Sequence, residues 1–204
     1  MTRSQGNVGL VILAAGASTR MGKPKQLLAV GETNLIGHTI KVGLDSECDP
    51  VVVVLGSQSR SIKKTITETA VEIVENDHWE EGMSSSLRVG LERMLALKEV
   101  PAVLVMVCDQ PGVDSELLNG MIKDFDNEEL LGVACTYGDV VGVPALFGEG
   151  LFSDLLSLSG DKGARALIKN YIGQFKLIPF PKGAEDIDTP SDYQRFTSKL
   201  KDKK

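Results

Sequence analysis

The chain has 204 residues, 22 Lys and Arg against 28 Asp and Glu, and a formal net charge of −6; at ~150 residues per domain it is expected to form one domain over 1–204. Apolar residues at 42% and charged residues at 25% describe a packed soluble globule and exclude global disorder. The acidic balance excludes nonspecific nucleic-acid binding, which needs clustered Lys and Arg against phosphates, while leaving room for a small phosphate-bearing ligand served by a few local cations.

No apolar run approaches the ~20 residues of a membrane span, so no membrane partner is expected. The cysteines Cys48, Cys108 and Cys135 form no CxxC pair, which argues against structural zinc and suits a reducing cytoplasm. With His38 and His78 the only histidines, a multi-histidine metal centre is excluded. The apolar run Val8 to Ala15 behind Arg3, trailed by Ala15-Gly-Ala17, superficially resembles a secretion signal. It also reads as a first buried strand entering a glycine-rich loop, and the cations Arg20, Lys23 and Lys25 that follow at once favour the strand.

In chain order, short apolar runs predict strands over Val8–Leu13, Val51–Leu55, Val71–Glu75, Ala102–Cys108 and Leu131–Tyr137. Val103 to Val107 is almost entirely apolar, as a central strand covered on both faces should be. Helical spacing appears between them in Leu35, Ile36, Thr39, Ile40 and Leu44, in Leu87, Leu91, Met94 and Leu95, and in Leu117, Leu118, Met121, Ile122 and Phe125. This alternation implies right-handed βαβ crossovers, hence an α/β protein with a largely parallel sheet between two helical layers. Tyr137-Gly-Asp139 reads as a hairpin turn into Val143–Phe147, adding one antiparallel strand. Helices around Ser153–Leu158 and Gly163–Asn170, a strand Phe175–Phe180 and a last helix follow. That helix should begin with Thr189 as N-cap, Pro190 at its first position and Asp192 in the capping-box place. The core should span about 8–193, with 199–204 a frayed tail.

Ligands of open α/β sheets bind beyond the carboxyl ends of the strands, and three segments are expected there. In Leu13-Ala-Ala-Gly-Ala-Ser-Thr-Arg-Met-Gly-Lys-Pro-Lys25, Gly16 and Gly22 let the backbone turn and bare successive N–H groups, an anion nest. Arg20, Lys23 and Lys25 make it suitable for a polyphosphate. It is neither a Walker A loop, since five residues separate the glycines and Pro24 follows Lys23, nor a dinucleotide fingerprint. A metal ligand must therefore come from elsewhere. Asp109 at the tip of Cys108-Asp-Gln-Pro111 is a hard-cation ligand or a turn former. Magnesium takes one or two carboxylates plus phosphate oxygens, and Asp186-Ile-Asp188 is the best source of a partner, with helix-end electrostatics the alternative for Asp188. Third, Gly82-Met-Ser-Ser-Ser-Leu-Arg88 opens a helix; its serines either cap that helix or offer hydroxyls to a base or ribose, with Arg88 one turn in. Trp79 reads as a packing residue with stacking as the alternative, and Asp161 as a helix cap.

The segments LAAGASTRMGKPKQLL, GMSSSLRVGL, CDQP, GVPALF, GDKGARALI and DIDTPSDY, in this order from about Val8 to Tyr193, resemble the MobA-like nucleotidyltransferases and within them the molybdenum cofactor cytidylyltransferase (MocA-like) branch. The resemblance implies a Rossmann-like three-layer sandwich that transfers a nucleotidyl group to a phosphate and releases pyrophosphate. It implies nucleotide binding by Leu13, Ala14, Ala15, Gly16, Arg20, Lys25 and Ser86, catalysis by Lys25, Arg20 and Asp109, and Mg2+ on Asp109 and Asp188. Ala15 replaces the second-last glycine of the LAGG found in guanylyl-transferring relatives; a methyl there narrows the base pocket and favours CTP. Cys108 departs from the GDQP of many relatives, leaving the aspartate and proline in place. The expected acceptor is molybdopterin or the molybdenum cofactor, and the expected recipient an apo molybdenum hydroxylase such as xanthine dehydrogenase. The pterin is assigned to Arg88, Gly142, Pro144, Asp161 and Arg165 without a spacing argument. Two alternatives stand: a cytidylyl- or uridylyltransferase acting on a sugar or alditol phosphate, and a noncatalytic molybdopterin carrier.

Overall fold

The computed structural model describes residues 7–125, 129–160 and 163–201. Strands β1 (Gly9–Ala14), β4 (Val51–Leu55), β5 (Glu72–Glu75), β6 (Ala102–Val107), β7 (Gly132–Tyr137), β8 (Val140–Gly148) and β9 (Phe175–Pro179) form one sheet in the order β5-β4-β1-β6-β8-β7-β9. All neighbours run parallel except β8, which is antiparallel to both β6 and β7. The hairpin expected at Tyr137-Gly-Asp139 is present: Tyr137 pairs with Val140, and Gly138 has φ 57°. Its return strand begins at Val140 rather than Val143 and inserts between β6 and β7.

Every residue of β1 and β4 is buried, because helices cover both faces and a β-branched run such as Val-Val-Val-Val loses little by filling either one. Alternate side chains divide between two cores. Leu10, Ile12 and Ala14 join Leu35, Ile36 and Ile40 of helix α1 (Leu35–Leu44) and Leu118 and Met121 of α4 (Ser115–Asp124) on one face. Val11 and Leu13 join Leu87, Leu91 and Met94 of α3 (Met83–Leu97), Leu155 of α5 (Phe152–Ser157) and Leu167 and Ile168 of α6 (Gly163–Asn170) on the other.

Short elements lie outside the sequence reading, among them the small pair β2 (Ala29–Val30) and β3 (Thr33–Asn34), and the one-turn helix α2 (Ser59–Lys63). They are too short for a periodicity to register. Helix α7 (Pro190–Lys201) starts as expected, with the Thr189 N–H donating to Asp192 Oδ2 at 2.7 Å and the Asp192 N–H returning to Thr189 Oγ1 at 3.3 Å. No helix among the described residues is long and apolar enough to cross a membrane.

The chain leaves β1 through α1 toward β4 and returns through α3 to β6, on β1's other side. The strand order therefore reverses between β1 and β6, where Leu13 pairs with Val107. A crevice opens at such a switch point because the two crossovers diverge to opposite faces.

Candidate active site

A cavity of about 660 Å³ lies beyond the carboxyl ends of β1 and β6. Its wall takes Leu13, Ala14, Ala15, Gly16, Arg20, Lys25, Ser86, Asp109, Gly142, Arg165 and Asp188 from the expected set. Arg88 is not among them: its guanidinium lies 3.5 Å from Glu81 on the outer side of α3. Pro144 is buried behind Gly142 and Val143 and also stands off the lining. Asp161 falls outside the described residues.

The first loop is shaped differently from the expectation. Gly22 (φ 71°) and Ser18 (φ 56°) adopt the left-handed conformation, whereas Gly16 does not. A side chain at Gly16 would meet no atom within 4 Å and would instead fill the cavity. The buried Gln26 holds the loop: its Nε2 donates to the carbonyls of Ala14 (2.8 Å) and Gly16 (3.0 Å), while Ser18 Oγ donates to its Oε1 at 3.3 Å. Tying those carbonyls to the protein side keeps them from opposing an anion in the cavity. Gln26 reads in sequence as one more polar loop residue, and only its burial reveals this work.

At the centre, Lys25 Nζ donates to Asp109 Oδ2 at 2.6 Å and to Asp188 Oδ1 at 2.8 Å, and Arg20 reaches Asp188 Oδ2 at 2.8 Å. Two carboxylates that lie 84 and 163 positions along the chain from Lys25 thus share its ammonium. Burial by itself would lower the Lys25 pKa, but the two carboxylates outweigh it and hold the group above its ordinary value. Burial likewise opposes ionisation of Asp188, and Lys25 and then Arg20 reverse the effect and hold its carboxyl low. The backbone explains the convergence: the Ile187 N–H donates to the Asp109 carbonyl at 2.9 Å, and the Ile187 side chain is 1% exposed. That anchor turns both its neighbours, Asp186 and Asp188, toward the cavity. Enclosure by the cavity wall, then the charge of Asp109, push the Asp186 carboxyl up to about 6.

The donor set fits a hard divalent cation in the manner of magnesium, with Lys25 standing in as the cation that both carboxylates face. Among the described residues no group of three or more His, Cys, Asp or Glu side chains is placed to hold a metal. Any such ion must therefore complete its shell with substrate oxygens and water.

The serines differ from the capping expectation. Gly82 precedes α3 and no side chain caps it; Ser84, Ser85 and Ser86 sit inside the first turn, all buried. Ser86 lines the cavity, and Trp79, Gln110 and Tyr137, none of them singled out as site residues by spacing, line it too. Gln110 Nε2 donates to the Gly183 carbonyl at 3.0 Å, and its buried Oε1 has no partner among the described residues.

Cations and carboxylates thus face each other over a glycine loop at the switch point of a largely parallel sheet, and the fold is that of the nucleotidyltransferases. The chain belongs to the MobA-like NTP transferase family, whose domain model matches residues 10–175. It is 26% identical over 198 residues to the purine catabolism protein PucB of Bacillus subtilis (strain 168), covering 90% of this chain and 92% of that one. A probable molybdenum cofactor guanylyltransferase of Bacillus mycoides (strain KBAB4) is 26% identical over 58% of this chain and 56% of its own. Among solved structures, Rv0371c from Mycobacterium tuberculosis H37Rv superposes with a TM-score of 0.81 at 28% identity, covering 96% of this chain and 100% of that one. A complex of Rv0371c with manganese superposes at 0.76, with 28% identity over 93% of this chain and 97% of that one.

Proposed function

We propose that the protein transfers CMP from CTP to the terminal phosphate of molybdopterin or the molybdenum cofactor and releases pyrophosphate. The observation that carries this reading is the ammonium of Lys25 held between Asp109 and Asp188 at the edge of the glycine loop. Its acceptor side is supported by a relative named for molybdenum cofactor guanylyl transfer, and its preference for CTP by the methyl of Ala15 on the cavity wall.

A phosphate monoester brings its own anionic oxygen at neutral pH, so the chain has to supply neither a nucleophile nor a strong base. What it must supply is position and charge neutralisation for in-line attack on the α-phosphorus. Gly16 leaves room for the triphosphate, and Arg20 and Lys25 turn from the carboxylates to its oxygens. Asp109 and Asp188 would hold the divalent ion; when bound, magnesium or manganese polarises the α-phosphate and offsets developing charge. Ser86 faces the base, and Tyr137, Gly142 and Arg165 line the end left for the pterin. A receiving hydroxylase such as xanthine dehydrogenase agrees with a relative named for purine catabolism.

Pyrophosphate release across the four ribonucleoside triphosphates tests the reading, with molybdopterin or a panel of sugar and alditol phosphates as acceptor. Release with CTP and molybdopterin alone is expected. Release with a sugar or alditol phosphate would move the protein to that acceptor class, and tight pterin binding without release from any nucleotide would make it a carrier.

A further inference from the structure

The residue that orients Ser86 is Asn76, which follows β5 and is 2% exposed. Its backbone N–H donates to the Leu55 carbonyl at 2.7 Å, and its Oδ1 accepts the His78 N–H at 2.9 Å. A main-chain N–H can only donate, so this second bond decides which end of the amide is oxygen. The NH2 group therefore faces α3, giving one hydrogen to Ser85 Oγ at 2.8 Å and the other to Ser86 Oγ at 3.0 Å.

The two hydroxyls then differ. Ser85 passes its own proton to the carbonyl of Gly82 (2.9 Å) or His78 (3.0 Å). Ser86 accepts from Asn76, and no acceptor among the described residues takes its proton. A buried hydroxyl proton without an acceptor is costly, and the open side of Ser86 is the cavity.

We infer that Asn76 is a specificity-positioning residue: it commits the Ser86 hydroxyl to donate into the cavity, so that the base accepted there must present a hydrogen-bond acceptor. The inference rests on the reading of Ser86 as a base-facing residue and adds the direction of the bond and the side chain that sets it. Cytosine meets the requirement with two adjacent acceptors, O2 and N3. Uracil and guanine keep carbonyl acceptors, but uracil carries N3–H where cytosine has the N3 lone pair and guanine carries N1–H beside its carbonyl, so discrimination falls on a Ser86 bond to cytosine N3.

Trp79 is the chain's one tryptophan and lines the same cavity, so its fluorescence titrates CTP–Mg2+ binding with no acceptor substrate present. Asn76→Asp keeps the shape but exchanges the donors for acceptors that claim the Ser86 proton, and Asn76→Ala removes both arms. Ser86→Ala and each Asn76 variant are expected to weaken CTP about tenfold, the range of one hydrogen bond, with UTP affected less. Because Asn76 acts through Ser86, adding either Asn76 change to Ser86→Ala should cost nothing further. The inference is overturned if the losses multiply, if CTP binding is unchanged, or if neither Asn76 variant folds, which would make the residue structural. A wild-type protein that gives no response to CTP would instead sink the nucleotide reading beneath it.

Discussion

Lys25 is the residue on which the site turns, because its ammonium occupies the point both carboxylates face. Lys25→Ala and Asp109→Ala are each expected to slow the proposed cytidylyl transfer about a hundredfold or more, close to 3 kcal/mol of transition-state stabilisation, read from steady-state pyrophosphate release. The two should part company in metal binding. Without nucleotide, Lys25→Ala leaves Asp109 and Asp188 facing no ammonium, so it should bind Mn2+ more tightly than wild type by titration calorimetry, whereas Asp109→Ala should bind it more weakly. At this scale the sequence was partly legible. Arg20, Lys25 and Asp109 stood out because charge following a buried strand is uncommon and visible, and Asp188 as a second carboxylate just ahead of the last helix. Gln26 and Asn76 did not, since a neutral amide acquires its role only from what surrounds it.

Among the elements, α3 matters most, carrying Ser86 to the cavity and packing across β1 and β4. The close packing depends on Gly90, where an added Cβ would lie 2.6 Å from Val11 Cγ1 and 2.8 Å from Val54 Cγ2, both in the buried sheet. Gly90→Ala should overpack that contact and cost about 1–3 kcal/mol, seen as a fall of about 2–4 °C in Tm for each kcal/mol. Helix α7 gives a gentler test. Asp192 accepts from the Thr189 N–H and hydroxyl, each at 2.7 Å, and Asp192→Ala should remove about 1 kcal/mol of capping, measurable by urea denaturation. Helix α3 was readable from its apolar spacing and α7 from its start signals. Helix α2 and the β2–β3 pair were not, for two to five residues carry no period.

Over the whole molecule, enclosure governs the thiols as it does the site. Cys48, Cys108 and Cys135 are all buried and unpaired, and burial pushes their thiols up to about 11, 12 and 12. Since a thiol with a raised pKa is deprotonated only as pH approaches that value, the native protein should react slowly with DTNB throughout pH 7–9. All three cysteines in the chain should react quickly once guanidinium unfolds it. A stopped-flow burst of one or more thiols in the native state would contradict the burial of these three side chains.

The strands, the sheet's main direction and the placing of charge at strand ends were determined by the sequence alone, because burial on two faces forces continuous apolar runs and a βαβ crossover has one favoured hand. Tertiary structure decided the rest. It put β8 between β6 and β7, turned Arg88 away from the cavity, and moved the serines from a capping role to a buried one. It also brought Asp188 to Asp109 through the buried Ile187 and a single backbone hydrogen bond. Such long-range pairings follow from how the whole core closes, a property that no local run of residues carries.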